Sequence, residues 1–164
     1  MIIIIQKCKI FAVQKINYDD NIARAIRYAV SNGAKVINLS LGCYAPDEQV
    51  LVDAIEEAYA AGVTVVASAG NSGKNTNIER HYQSSEEHVI SVMFTNPDNT
   101  RNYQSNYGKI YNDICAPGHN IFTTDINNNY NPEAGGSSMA APIVSAVVTM
   151  MKGVKCQSSI QKLG

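Results

Sequence analysis

The sequence predicts an α/β fold built on a parallel sheet, and three observations carry that prediction. Short apolar runs alternate with stretches of helical periodicity, so the order reads strand, helix, strand, helix, strand. Right-handed β-α-β units put such strands side by side and parallel. No internal repeat and no low-complexity linker breaks the 164 residues, so residues 1–164 read as one domain.

The elements follow in order. Residues 2–13, an isoleucine run followed by Ile10-Phe11-Ala12-Val13, read as a buried strand. Asp19-Asp20 offers an N-cap, and Ile22, Ala25, Ile26, Ala29 and Val30 recur at helical spacing until Asn32-Gly33. Residues 36–41 form a short strand ending at Gly42. Pro46-Asp47 opens a second helix with Val50, Leu51, Ala54, Ile55 and Ala58 on one face, closed by Gly62. Residues 63–67 are the next strand, ending in Ser68-Ala69-Gly70-Asn71-Ser72-Gly73. The polar stretch 74–87 reads as a surface loop, 89–94 as a strand and 96–99 as a turn. Ile114-Cys115-Ala116-Pro117-Gly118 and 121–124 are short apolar runs, and 127–131 is a polar turn. In parallel sheets functional groups gather beyond the carboxyl ends of the strands, where Gly42 and Gly70-Asn71 fall.

Composition narrows the function classes. The apolar fraction of 45% is that of a globular protein. Net charge is −1 with no Lys- or Arg-rich run, which argues against a nucleic-acid surface. Cys8, Cys43, Cys115 and Cys156 are far apart without a C-x-x-C, and read as four separate, mostly buried thiols. Residues 1–5 lack a basic leader and a small-residue cleavage site, and are too short to span a membrane. No other stretch is long enough to do so, so no membrane partner is expected.

The most informative stretch is Gly135-Gly136-Ser137-Ser138-Met139-Ala140-Ala141-Pro142. The apolar run 139–151 reads as a buried helix, apolar on nearly every face, with Pro142 in its first turn. Ser138 then lies near a helix N-terminus, which favours a developing negative charge. Alone, the motif is equally a glycine turn and a serine cap.

Four blocks in order remove that ambiguity. They are 32–42 (Asn-Gly-Ala-Lys-Val-Ile-Asn-Leu-Ser-Leu-Gly), 65–73 (Val-Val-Ala-Ser-Ala-Gly-Asn-Ser-Gly), Ser105-Asn106-Tyr107-Gly108 with Ala116-Pro117-Gly118, and Gly136-Ser137-Ser138-Met139-Ala140-Ala141-Pro142. Together they resemble the subtilisin family of serine peptidases (subtilases), over roughly residues 10–151. The resemblance implies a three-layer αβα domain with a mostly parallel central sheet, its N-terminal part missing here. It implies Ser138 as nucleophile and Asn71 as oxyanion-hole donor. Ser40, Leu41 and Gly42 with Ser68, Ala69 and Gly70 would line a peptide groove and its main specificity pocket. It implies a polypeptide substrate; family calcium sites draw on several segments, some upstream, so no dependable metal site is expected here, and no cofactor. The family is largely secreted, although no signal peptide is read in this sequence.

The departures matter as much. Neither the family's D-[ST]-G block nor its H-G-T-H block occurs, and His81, His88 and His119 all follow the Asn71 block. All three histidines are expected at the surface or in loops. A serine hydroxyl without an adjacent base is a poor nucleophile, so this chain alone is expected to be nearly inactive. Lesser departures are Ser137 for threonine, Tyr82-Gln83 for Tyr-Pro and Ile143 for histidine. Three readings follow: part of a serine endopeptidase domain, a peptide-binding pseudopeptidase, or a half completed by another chain carrying aspartate and histidine. Without upstream strands, an exposed sheet edge is also expected, with lowered stability or association.

Overall fold

The computed structural model describes residues 19–42 and 49–160. The expected strand at 2–13, the Pro46-Asp47 helix start and Cys8, Cys43 and Cys156 lie outside the described residues or side chains. The elements are α1 (Asp19–Ser31), β1 (Val36–Leu39), α2 (Gln49–Ala60), β2 (Thr64–Ser68), β3 (Val89–Thr95), β4 (Ile114–Pro117), β5 (Ile121–Thr124), β6 (Tyr130–Ala134) and α3 (Ser137–Ile160).

The main sheet has the order β1-β2-β3-β4, and every pair in it is parallel. Strand side chains alternate between two cores, as a period of two requires. Val65 and Ala67 join Leu39 and Val89 against Ile22, Ala23 and Ile26 of α1 and Leu51, Ala54, Ile55 and Ala58 of α2. Val66 faces the other way and meets Val92, Phe94, Ala116 and the α3 residues Ala140, Ala141 and Val144. Helices thus cover both faces, and the predicted three-layer α/β arrangement with a parallel sheet is present.

Four details differ from the sequence reading. Residues 74–87 are not simply a surface loop: Thr76, His81, Gln83, Ser84 and Ser85 are buried. The polar turn at 127–131 is the tip of an antiparallel hairpin, in which β6 pairs with β5 and Phe122 stacks on Tyr130 at 5.2 Å. α3 is buried on one face only, since Val147, Met150 and Met151 are exposed. Cys115, expected among the buried thiols, is exposed because it points outward from β4.

Candidate active site

Four segments converge at the carboxyl ends of the parallel strands. The first is 38–42 after β1, the second 68–74 after β2, the third the 102–108 loop, and the fourth the Gly135-Gly136 turn into α3. The hairpin β5–β6 delivers the chain to that turn, where the Gly136 amide donates to the Gly118 carbonyl at 2.7 Å.

Asn71 is held by α3. Its Oδ1 accepts from the Ser137 backbone N–H and the Ser137 hydroxyl, both at 2.8 Å. Two donors on one oxygen fix which way the carboxamide points. The exposed Asn71 is thereby anchored through its oxygen at the first residue of α3, which leaves its NH₂ out of that pair of bonds. Ser137, fully buried, also accepts from the Gly70 N–H at 3.0 Å, so one hydroxyl ties the loop and the helix start together. Gly136 completes the fit. Its φ is +120°, and a Cβ there would fall 2.8 Å from Asn71 Nδ2.

Ser138 is fixed by a device the sequence reading misplaced. Pro142 lies in the second turn of α3, because the helix begins at Ser137 rather than Met139. Proline has no N–H, so it leaves the carbonyl four residues back without its helical donor. That carbonyl is Ser138's, and Ser40 Oγ donates to it at 2.9 Å. The Ser40 hydroxyl in turn accepts from Asn38 Nδ2 at 2.9 Å, and Ser145 Oγ donates to Asn38 Oδ1 at 3.1 Å. The Ser138 hydroxyl points back to the Ser40 carbonyl at 3.4 Å. As a first-turn residue, Ser138 has no carbonyl of its own helix for its backbone N–H.

The residues expected to line a groove lie on two neighbouring segments. Ser68 Oγ donates to the Leu41 carbonyl at 3.3 Å, linking segments 40–42 and 68–70. Leu41 is partly exposed, while Ser68, Ala69 and Gly70 are buried.

Sequence reasoning quoted Asn106 within a block but gave it no role. The side chain is fully buried and clamps the loop that bears Asn71. Its Nδ2 donates to the Ala69 carbonyl at 2.7 Å, and its Oδ1 accepts from the Ser72 and Lys74 amides at 3.1 and 3.0 Å. A polar residue set between two loops of one sheet end was the available signal.

The histidines divide. His119 and His88 are exposed, and His88 stacks on Tyr59 at 3.6 Å. His81 lies in a loop, as the surface-or-loop expectation allows, but not at the surface: it is 5% exposed, and burial holds its pKa below the usual 6.5. It packs against Gly42 and Gly70. Among the described residues, no group of three or more His, Cys, Asp or Glu side chains is placed to hold a metal ion.

Chemically, the site offers a hydroxyl in the first turn of a helix, a side-chain amide fixed at the residue before it and a first-turn backbone amide. Two donors near one hydroxyl can stabilise an oxyanion formed when that hydroxyl adds to a carbonyl.

Comparison with known proteins bears on the family and the fold. The sequence profile of the subtilase family matches residues 4–159. A thermophilic serine proteinase of Bacillus sp. (strain AK1) is 40% identical over 131 residues, covering 80% of this chain and 31% of that protein. Thermitase of Thermoactinomyces vulgaris is 35% identical, over 79% of this chain and 44% of its own length. The solved prenylagaramide maturation protease superimposes with a TM-score of 0.81 at 28% identity, covering 91% of this chain and 55% of that one. The epidermin leader peptide processing serine protease of Staphylococcus aureus gives 0.74 at 28% identity, covering 80% and 43%. The chain thus spans between about a third and a half of the length of these relatives. With its parallel sheet, its ordered blocks and the profile match over nearly its whole length, the chain belongs to the subtilase family.

Proposed function

We propose that this chain supplies the nucleophile and oxyanion side of a serine endopeptidase site acting on polypeptides. The observation that supports it best is the carboxamide of Asn71, fixed by Ser137 beside the helix start that bears Ser138. In this reading Ser138 Oγ adds to the scissile carbonyl carbon and its proton passes to a base. The carbonyl oxygen becomes an oxyanion held by Asn71 Nδ2 and the Ser138 N–H. The tetrahedral adduct collapses, the amine leaves with the proton, and water then releases the acyl group from Ser138.

The base is the missing part. Neither a D-[ST]-G nor an H-G-T-H block is present in these residues. Removal of the histidine from such a triad costs about 2 × 10⁶ in turnover. Base and orienting aspartate therefore come from polypeptide outside this sequence, such as the N-terminal half of the domain. The absence of both blocks also favours a second reading, a pseudopeptidase that binds peptide along 40–42 and 68–70 without cutting it.

A fluorophosphonate probe separates these readings. The 164-residue chain is exposed to the probe alone, and then together with a polypeptide carrying both blocks. Labelling that appears on mixing and vanishes in Ser138→Ala supports the peptidase reading. No labelling in either case, with peptide binding retained, favours the pseudopeptidase.

A further inference from the structure

His81 is wedged between the glycines that follow β1 and β2. A Cβ on Gly42 would fall 2.3 Å from His81 Cε1, and one on Gly70 would fall 2.8 Å from Cδ2 and 2.9 Å from Nε2. Beyond the Ser68–Leu41 bond, Gly42 and Gly70 therefore both lie against the ring, and the imidazole fills the space between these two glycines, with Asn106 Nδ2 also against Gly70. Ser84 locks it there. The Ser84 hydroxyl donates to the His81 carbonyl at 2.9 Å, so at 3.2 Å it is the His81 Nδ1–H that donates to Ser84 Oγ.

The place of this ring relative to Ser138 gives it meaning. Ser40 heads the first segment and is hydrogen-bonded to Ser138, while Asn71 directly follows Gly70. In the function proposed above, an acyl group on Ser138 with its oxygen toward Asn71 would carry its side chain toward Gly42 and Gly70, which lie two residues past Ser40 and one before Asn71. We propose that His81 plugs this side-chain pocket, restricting the site to polypeptides with glycine, alanine or serine at the residue acylated. The proposal rests on the peptide-acting reading of Ser138 and deepens it by naming the substrate class. Leucine, phenylalanine or tyrosine cannot enter without expelling a buried ring and breaking its bond to Ser84, whereas a methyl group needs no such movement.

The test uses amide NMR on the full chain, wild type and His81→Gly. Probes are N-acetyl tetrapeptides differing only in a C-terminal Ala or Phe, and p-cresol as a side-chain fragment. Shifts are followed at residues 40–42 and 68–71. In wild type the Ala peptide binds about tenfold or more tighter than the Phe peptide, and p-cresol leaves the Gly42 and Gly70 amides unmoved. In His81→Gly the preference levels or reverses and p-cresol shifts both amides. Equal binding of the two peptides to wild type, or a preference unchanged in the variant, overturns the proposal. If no peptide binds to either protein, the peptide-docking reading falls while the p-cresol arm still decides the pocket. Entry into the variant alone supports the plug, and entry into both or neither overturns it. Where the glycine variant does not fold, His81→Asn, closer in volume, takes its place under the same criteria.

Discussion

The bond from Ser40 to the Ser138 carbonyl can be isolated with two substitutions. Pro142 withdraws the helical donor from that carbonyl, and Ser40 supplies a replacement at 2.9 Å. Ser40→Ala strands a part-buried carbonyl, which costs about 1–3 kcal/mol. Pro142→Ala restores an N–H four residues ahead, so the same serine substitution in that background costs below about 0.5 kcal/mol. The coupling energy is therefore at least about 0.5 kcal/mol, rising to about 3 kcal/mol, and opposite in sign to the single loss. Urea unfolding of wild type, both single variants and the double variant measures it. With a slope of about 2 kcal/mol/M, the Ser40→Ala midpoint falls by about 0.5–1.5 M in the proline background. Additive effects, within about 0.5 kcal/mol, would refute the claim that Ser40 replaces the donor proline lacks.

Other outcomes follow from the same geometry. Ser137→Ala leaves the buried Gly70 N–H without its acceptor and frees Asn71, lowering stability by about 2–3 kcal/mol in urea unfolding, while Ser137→Thr restores most of it. Gly136→Ala places a Cβ 2.8 Å from Asn71 Nδ2 at a φ of +120°. It costs about 1–3 kcal/mol by the same assay. Asn106→Ala removes the donor to Ala69 and the acceptor of Ser72 and Lys74. Amide exchange at 69–74 accelerates, with about 3 kcal/mol lost at about 1 kcal/mol per bond. His81 has a folded pKa below its ordinary 6.5, so the unfolded chain takes the proton first. Its contribution is complete above that value and is lost as pH falls below it. The wild-type midpoint therefore drops further than that of His81→Gln between pH 7 and 5.

Much of this was legible because local pattern and tertiary role coincide. α1 begins at Asp19 and ends before Asn32-Gly33 as its caps and periodicity indicate, and Val65, Val66 and Ala67 are buried on both faces as a parallel strand requires. β6 was missed because Tyr130-Asn131-Pro132-Glu133-Ala134 is polar, contains proline and pairs on one side only. His81 was missed because polar composition at 74–87 says nothing about a cleft that other segments provide. The start of α3 was set two residues late because Ser137 is apolar in neither sense: it starts the helix through Asn71, a residue 66 positions earlier. Such a cap cannot be read from the motif itself.

The sequence distances across the site also fix when it can exist. Ser40 and Ser138 are 98 residues apart, Gly70 and Ser137 are 67 apart, and Ser72 and Asn106 are 34 apart. Contacts of such separation form slowly, since long loops close before any bond rewards them. During synthesis the β1–β2 pair can assemble while α3 is still within the ribosome, yet Asn71 has no acceptor-side anchor until Ser137 emerges. The site is then the last part of the sheet end to organise. Any chain ending before α3 holds strands, helices and half a core, but no arrangement resembling the one described around Ser138.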